Sequence, residues 1–327
     1  MSVPAFSDIS KASNDLLSKD FYHLSAQAIE IKSNTPNNVA FKVTGKSTHE
    51  GATSGLLEAK FSDKPSGITF KRFLIHSDFP RLQNSQNPVF DFMINFTPGE
   101  ALLLMFYRRA GLTLTQSWNT VNALDTKIEL NDTITKGLKA EVLTNFLPAT
   151  SAKGAKLNLH FKQANFHGRA FFDLLKGPSA NIDAVIGQDG FLVGGSAGYD
   201  VQKAAITSYS AAIGYAAPQY TASITASNNL SVFSAAYYHK VNSQVEAGSK
   251  AVWDSKTGNA VGLEVAAKYR LDTLSFAKAK INDRGVAAVA YNVLLRPGVT
   301  FGIGASFDTQ KLDQANHKIG TSLTFEA

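Results

Sequence analysis

Residues 155–162 read Ala-Lys-Leu-Asn-Leu-His-Phe-Lys, a strict alternation of apolar and polar side chains, and the pattern returns almost to the end of the chain. A period of two sends successive side chains to opposite faces of an extended strand, so each such segment has one apolar and one polar face. About nineteen segments of this kind follow one another, separated by short Gly, Asn, Asp and Pro turns, with no helical period between them. Examples are Val39, Phe41 and Val43 against Ala40, Lys42 and Thr44, the stretch Leu138–Phe146, and the last four segments near 274–282, 285–292, 298–307 and 317–326. Many run to about 9–11 residues, the length of a tilted membrane-spanning strand, whereas strands of globular proteins average nearer 5–6. The apolar positions hold Leu, Val, Ile, Ala and Phe, and the polar ones Lys, Glu, Asn, Ser, Thr and Gly. With no set of helices to cover the apolar face, the pattern predicts one all-β sheet closed into a barrel, its apolar side toward lipid and its polar side toward water.

Composition narrows the alternatives. An apolar share of 44% and a mean hydropathy of −0.08 suit a soluble protein or a membrane β-barrel, whose apolar residues come one at a time. A helical membrane protein is excluded, because a span needs about 20 consecutive apolar residues and the longest run is Ala101–Phe106. The net charge of +6 is scattered through the strands. Nucleic-acid binders cluster their cations, so nucleic acid is not an expected partner, and cations along an inner polar surface would instead attract anions. There is no cysteine, hence no disulfide framework or thiolate metal site. The opening Met-Ser-Val-Pro-Ala-Phe-Ser-Asp-Ile-Ser lacks the apolar core of a secretory signal, and Asp8, Asp15 and Asp20 without arginine do not suit a cleaved mitochondrial presequence. A mature bacterial porin would also lack an export signal, so this absence alone does not exclude one.

Two stretches break the alternation. Over residues 5–19, Phe6, Ile9, Ala12 or Ser13, and Leu16 recur at helical spacing, with Lys11, Asp15 and Lys19 elsewhere on the surface. This short helix is expected either against the main body or inside a pore. Residues 68–111 have no sustained period and mix Pro80, Pro88 and Pro98 with seven Phe and two Met. Joining Gly67 to Leu112 gives a turn running straight into an alternating strand. The insert is either a real loop or extra hairpin, since Phe90, Phe92, Ile94 and Phe96 alternate, or a translated intron at a split glycine codon; the second reading is favoured. Its Lys71, Arg72, Arg81, Arg108 and Arg109 against Asp78, Asp91 and Glu100 mean that the chain without it is still basic.

An ordered set of short motifs resembles the mitochondrial porins, the voltage-dependent anion channels, and their fungal branch most. It comprises Val3-Pro-Ala-Phe-Ser-Asp-Ile-Ser-Lys11 with Asp15-Leu-Leu-Ser-Lys19-Asp-Phe-Tyr, Leu112-Thr-Leu-Thr-Gln-Ser-Trp118, Gly137-Leu-Lys139, Tyr269-Arg-Leu-Asp272 through Ala279-Lys280-Ile-Asn-Asp283, Leu295-Arg-Pro-Gly298, and His317-Lys-Ile-Gly320. The match spans nearly everything except 68–111. The resemblance implies a single barrel domain of about nineteen strands in the mitochondrial outer membrane, with the N-terminal helix in the lumen. An odd count would force the first and last strands to pair in parallel.

The same resemblance implies a voltage-gated, weakly anion-selective channel for small anions and metabolites such as ATP, ADP and phosphate, with membrane lipid around it, nucleotides and small anions as permeants, and room for a homo-oligomer. It nominates Lys11, Lys19 and Lys60 as anion-facing, Asp15 as a helix-holding partner for a wall cation, and Gly304, Ala305, Ser306, Phe307 and Asp308 as a nucleotide-contacting stretch. Lys318, Gly320, Leu323 and Phe325 fit the mitochondrial β-barrel signal, or simply a terminal strand. Two departures stand out: Gln116 occupies the place of a lipid-facing glutamate of animal members, and Asp20-Phe-Tyr-His-Leu24 replaces their glycine-rich hinge. Seven dispersed histidines, without His-Glu-x-x-His or a phosphate loop, argue against an enzyme, a cofactor or a metal; His160 and His167 are read as wall residues. A channel-poor paralogue with an assembly or interaction role is the main alternative, and a soluble lipid-binding barrel the third.

Overall fold

The computed structural model describes residues 2–34, 39–63, 68–74, 111–118, 124–132, 135–175, 179–258, 261–314 and 317–326. Most of 68–111, with the hairpin expected at Phe90–Phe96, lies outside the described residues. The single helix expected over 5–19 is instead two pieces, a 3-10 turn at Phe6–Asp8 and an α-helix, α1, at Lys11–Ser18. Ser10 separates them, and its hydroxyl accepts a bond from Asn14 Nδ2 at 3.0 Å. Lys19 is extended and Asp20 takes φ +59°, which ends the helix. A second 3-10 turn, Tyr22–Leu24, leads into the sheet.

Twenty strands follow among the described residues. They are β1 (Gln27–Asn34), β2 (Val39–Ser47), β3 (Thr53–Asp63), β4 (Ile68–Leu74), β5 (Gly111–Trp118), β6 (Leu124–Asn131) and β7 (Leu138–Leu147). Next come β8 (Ala152–Lys162), β9 (Phe166–Asp173), β10 (Ser179–Gln188), β11 (Phe191–Asp200), β12 (Ala205–Ala216), β13 (Tyr220–Ser227) and β14 (Val232–Lys240). The last are β15 (Val245–Asp254), β16 (Gly262–Arg270), β17 (Ser275–Asn282), β18 (Val286–Arg296), β19 (Val299–Asp308) and β20 (Lys318–Glu326). Each strand pairs with the next, and β20 pairs with β1. Turn chemistry supports the register: Asp189 and Gly190, at φ +52° and +89°, close a two-residue hairpin between Gln188 and Phe191.

Among the described residues the count of about nineteen is therefore corrected to twenty, and the additional strand, β4, lies inside the anomalous insert. It pairs antiparallel with β3 but parallel with β5. Strands that are all antiparallel to their neighbours alternate in direction, so a first and a twentieth strand would meet antiparallel. The one parallel step at β4–β5 shifts that alternation, and β1 and β20 meet in parallel, as an odd set would.

The two faces differ in solvent. In β10, Val185 is 0% exposed while its neighbour Ile186 is 63% exposed. Phe191 and Val193 in β11, Ile213 in β12 and Ile224 in β13 share the exposed face. Among the described residues, six of the buried apolar side chains (Val3, Ala5, Ile9, Leu16, Leu17 and Phe21) come from the N-terminal segment, not from a second layer of strands. Aromatic rings border the exposed face. At one end, Phe191, Tyr215, Tyr220 and His239 form a chain across β11–β14 with centroid spacings of 4.9, 5.7 and 6.3 Å. At the other end, Phe233 stacks on Trp253 at 5.6 Å.

Candidate functional site on the polar face

The N-terminal segment lies across the polar face from β10 to β20. Val3 and Ile9 pack with Val185, Leu192 and Ala212, joined by Phe6; Leu16 and Leu17 pack with Ala266 and Tyr238; Phe21 packs with Ala288 and Ala290. The wall beneath is built from small residues, which permits this close approach. A Cβ on Gly194 would come within 3.0 Å of Phe6, and one on Gly214 within 3.0 Å of Ile9. Gly302 lies directly under the Tyr22 ring, and Gly320 abuts the carbonyls of Tyr22 and Ser25. An eight-residue helix is too short to persist alone in water, so this seat is what holds it. Tyr22 also accepts a hydrogen bond from Asn292 Nδ2 at its hydroxyl, at 2.5 Å.

Away from the segment the polar face carries ion networks. Glu129 and Glu141 stand opposite one another on β6 and β7. Like charges so placed repel, and two lysines offset this: Lys127 reaches them at 2.5 and 3.1 Å, and Lys139 at 3.0 and 2.6 Å. Arg169 grips Asp183 across β9–β10 with Nε 3.0 Å from Oδ1 and Nη2 2.8 Å from Oδ2. Lys42 and Lys32 both hold Glu30, and Lys32 also reaches Glu326. Lys268, Arg270 and Lys318 occupy further polar-face register positions. A cavity of about 910 Å³ opens between the N-terminal segment and the β10–β13 end of the sheet, edged by Asp8, Lys11, Asp15 and Tyr215.

The nominated residues do not converge on one point. Lys11, exposed at the start of α1, borders this cavity. Lys19 pairs with Asp15 of its own helix at 2.7 Å. Among the described residues the ion-pair partner of Asp15 is this near neighbour, since four residues along a helix bring two side chains together. The backbone of Lys60 lies in β3 opposite Ala40. Residues 304–308 form the C-terminal half of β19 and divide between both faces. Gly304 meets the backbone of Tyr22 and His23, Ser306 shares its face, Ala305 and Phe307 take the other, and Asp308 accepts from the amide of Gln310. Lys318, Gly320, Leu323 and Phe325 lie in β20, with Leu323 and Phe325 beside Ile29 and Ile31. His167 Nδ1 is 3.3 Å from the Val3 carbonyl, and His160 meets the Phe171 ring edge-on at 5.7 Å.

Sequence reasoning missed the side chains that engage the helix from the wall. Lys250, Lys278 and Lys280 reach Asn14, Lys19 and Leu17 respectively. Alternation puts all three on the polar face, but no local signal says which polar-face lysine meets a segment more than two hundred residues earlier in the chain.

The model of the eukaryotic porin family matches residues 2–90 and 91–320. The "mitochondrial outer membrane protein porin" of Neurospora crassa is 66% identical over 327 residues, and that of Candida albicans 45% identical over 327 residues, each alignment covering 100% of both chains. The "non-selective voltage-gated ion channel 1" of Saccharomyces cerevisiae is 36% identical over 330 residues, again with 100% of both chains covered.

Proposed function

The chain belongs to the eukaryotic porin family, and on that premise we propose that it is a closed transmembrane β-barrel acting as a voltage-gated, weakly anion-selective channel for small anions and metabolites such as ATP, ADP and phosphate. It is a protein of the mitochondrial outer membrane, as its Neurospora and Candida relatives are named. The observation that carries the reading is the inversion of solvent across the sheet. Ile186 and Phe191 are 63% and 65% exposed, while the charged face is the one the N-terminal segment covers. An apolar outer band with aromatic rings at both ends suits hydrocarbon between two headgroup layers. The ring of pairings from β1 to β20 supports closure, which satisfies the backbone hydrogen bonds that lipid cannot.

Permeation needs no covalent step. A pore selects by the field of its wall and must release what it admits. Several polar-face lysines are balanced by Glu30, Glu129 or Glu141, and Arg169 by Asp183, and the chain's net charge of +6 supports a weak preference for anions over exclusive passage. Voltage sensitivity follows from charged groups lying in the transmembrane field, and the Saccharomyces relative is named for it. Purified protein in a planar bilayer tests the reading. Large conductance steps with an anion-side reversal potential in a salt gradient support it. An absence of steps from protein inserted in the membrane would instead favour a channel-poor interaction role, and a detergent-free monomer in water would overturn the membrane assignment.

A further inference from the structure

Helix α1 ends without a conventional cap. The last carbonyls of a helix have no intrahelical partner and carry the negative end of its dipole. Lys19 is extended and Asp20 left-handed, so the chain leaves the helix axis at once. The exposed end points at the wall, and the wall answers with cations. Lys280 Nζ lies 2.9 Å from the Leu17 carbonyl and 2.9 Å from Glu264 Oε1. Lys278 Nζ lies 2.7 Å from the Lys19 carbonyl and 3.8 Å from Asp20 Oδ2. Two strands away, on β15, Lys250 donates to Asn14 Oδ1 at 3.1 Å. The Phe21 ring closes the arrangement, with the Lys278 and Lys280 ammonium groups 4.9 and 4.8 Å from its centroid, a distance at which a cation is attracted to an aromatic face.

We infer that Lys250, Lys278 and Lys280 are a clamp that positions the C-terminal half of α1, and that they are not part of the anion-selecting field. The inference rests on the channel reading above only for its electrical consequence. Lys278 is the clearest case: its side chain is 2% exposed, wedged between Phe21 and the chain end of the helix. Lys280 is balanced by Glu264. Their ammonium protons are directed at helix carbonyls, so a permeant ion meets little of their charge. Lys19, whose side chain is 60% exposed on the outside of the same helix, differs in this respect. The three lysines are positioning residues, acting through where they hold the helix.

The chain has no cysteine, which makes a single-site spin label clean. A nitroxide on Ser18→Cys, an exposed position of α1, reports docking. A second, on Lys256→Cys in the β15–β16 turn, reports whether the wall is folded. With Lys278→Met and Lys280→Met together, the undocked-to-docked ratio at Ser18 is expected to rise about a hundredfold, because each charge-assisted bond lost changes it about tenfold or more. The Lys256 label should not change. Asn14→Ala removes the third contact together with the Asn14–Ser10 bond inside the segment, leaves the sheet untouched and should raise the ratio by a smaller factor; Lys280→Arg keeps a donor and should largely restore docking. In bilayers the double variant should shift the voltage dependence of conductance and leave the reversal potential where it was. A Ser18 label as immobile in both the double variant and Asn14→Ala as in the parent would overturn the clamp. A reversal potential displaced as far as by Lys19→Glu would overturn its separation from the anion field. Should the parent form no channel, the spin-label result still decides the clamp and the failure falls on the channel reading alone.

Discussion

Arg169 and Asp183 lie directly opposite on β9 and β10 and are joined by two parallel hydrogen bonds of 3.0 and 2.8 Å, with side-chain exposures of 16% and 9%. A forked pair of this geometry fixes both side chains. Breaking it by Asp183→Asn leaves a guanidinium poorly solvated beside Phe171, whose ring centroid is 5.2 Å away. Removal of one partner from a buried pair costs about 3 kcal/mol. Asp183→Asn should therefore lower the unfolding midpoint of the detergent-solubilised protein clearly, and adding Arg169→Met should recover most of the loss. Equal destabilisation by the single and double variants would show that the pair contributes no coupling.

Gly320 gives a sharper test of the seat. A side chain there would overlap two backbone carbonyls, those of Tyr22 and Ser25, and backbone atoms cannot rotate aside. Gly320→Ala should lift the 22–25 turn at a cost of about 1–3 kcal/mol and reduce hydrogen-exchange protection in that turn. Gly195→Ala is the control, since its nearest atom is the Ser210 carbonyl at 3.6 Å, an ordinary contact. Unfolded protein refolded in detergent should be used, so that any role of Gly320 in targeting does not enter. Unchanged exchange at residues 22–25 in Gly320→Ala would contradict the packing described.

These two sites show what alternation reveals and what it hides. A period of two tells which side chains share a face, because geometry enforces it residue by residue; Arg169, Asp183 and Gly320 all obey it. Helical spacing also marks 5–19, although the break at Ser10 depends on local φ and ψ that a stripe of four apolar residues does not encode. Among the described residues Asp15 meets Lys19, nominated as a permeant contact, because the two are neighbours one turn apart. The lysine clamp and the glycine seat are illegible for a different reason: each joins residues separated by most of the chain, and that meeting exists only after the strands are in register.

His23 supplies a pH dependence. It is buried, its Nδ1 has no hydrogen-bond partner among the described residues, and burial first, then the charges of Lys280 and Lys318 and the nearby His49, hold its pKa below the ordinary 6.5. The undocked segment therefore binds a proton more readily than the docked one. Docking is at full strength above the unperturbed value and weakens as pH falls through it toward the depressed one. The Ser18 spin label should gain a mobile component between about pH 7.5 and about pH 5.5, and His23→Asn should flatten that change. A parent insensitive to pH over this range would rule out the proposed sign.

Lys19 and Lys60 remain the proposed anion-facing pair. Lys19 keeps a largely exposed ammonium even while it touches Asp15, so its charge acts on the water-filled side. Lys19→Glu combined with Lys60→Glu should bring the anion-to-cation permeability ratio down toward about one, read from the reversal potential in a salt gradient. An unmoved reversal potential would remove both from the selective field.

The insert permits the most decisive structural prediction. Strand β4 pairs with β3 so that Asp63 faces Ile68 and Leu57 faces Leu74. Its other neighbour, β5, runs parallel to it with Thr69 facing Thr113 and Leu74 facing Trp118, a constant step of 44 positions, which is also the length of 68–111. Strand β5 therefore repeats the height and direction of β4. If residues 68–111 were removed, Leu112 would follow Gly67, and Leu112–Trp118 would enter the register beside β3 that Ile68–Leu74 now holds. Every later pairing would be preserved, β3 and β5 would be antiparallel, and β1 with β20 would be the remaining parallel pair in a set of nineteen. We propose on this ground that the segment is dispensable, in keeping with a translated intron. The variant lacking 68–111 should refold in detergent with undiminished β content and a Ser18 label as immobile as in the full chain, and transcript sequencing should show Gly67 joined to Leu112. Failure of the shortened chain to form the sheet would establish the insert as an integral part of it.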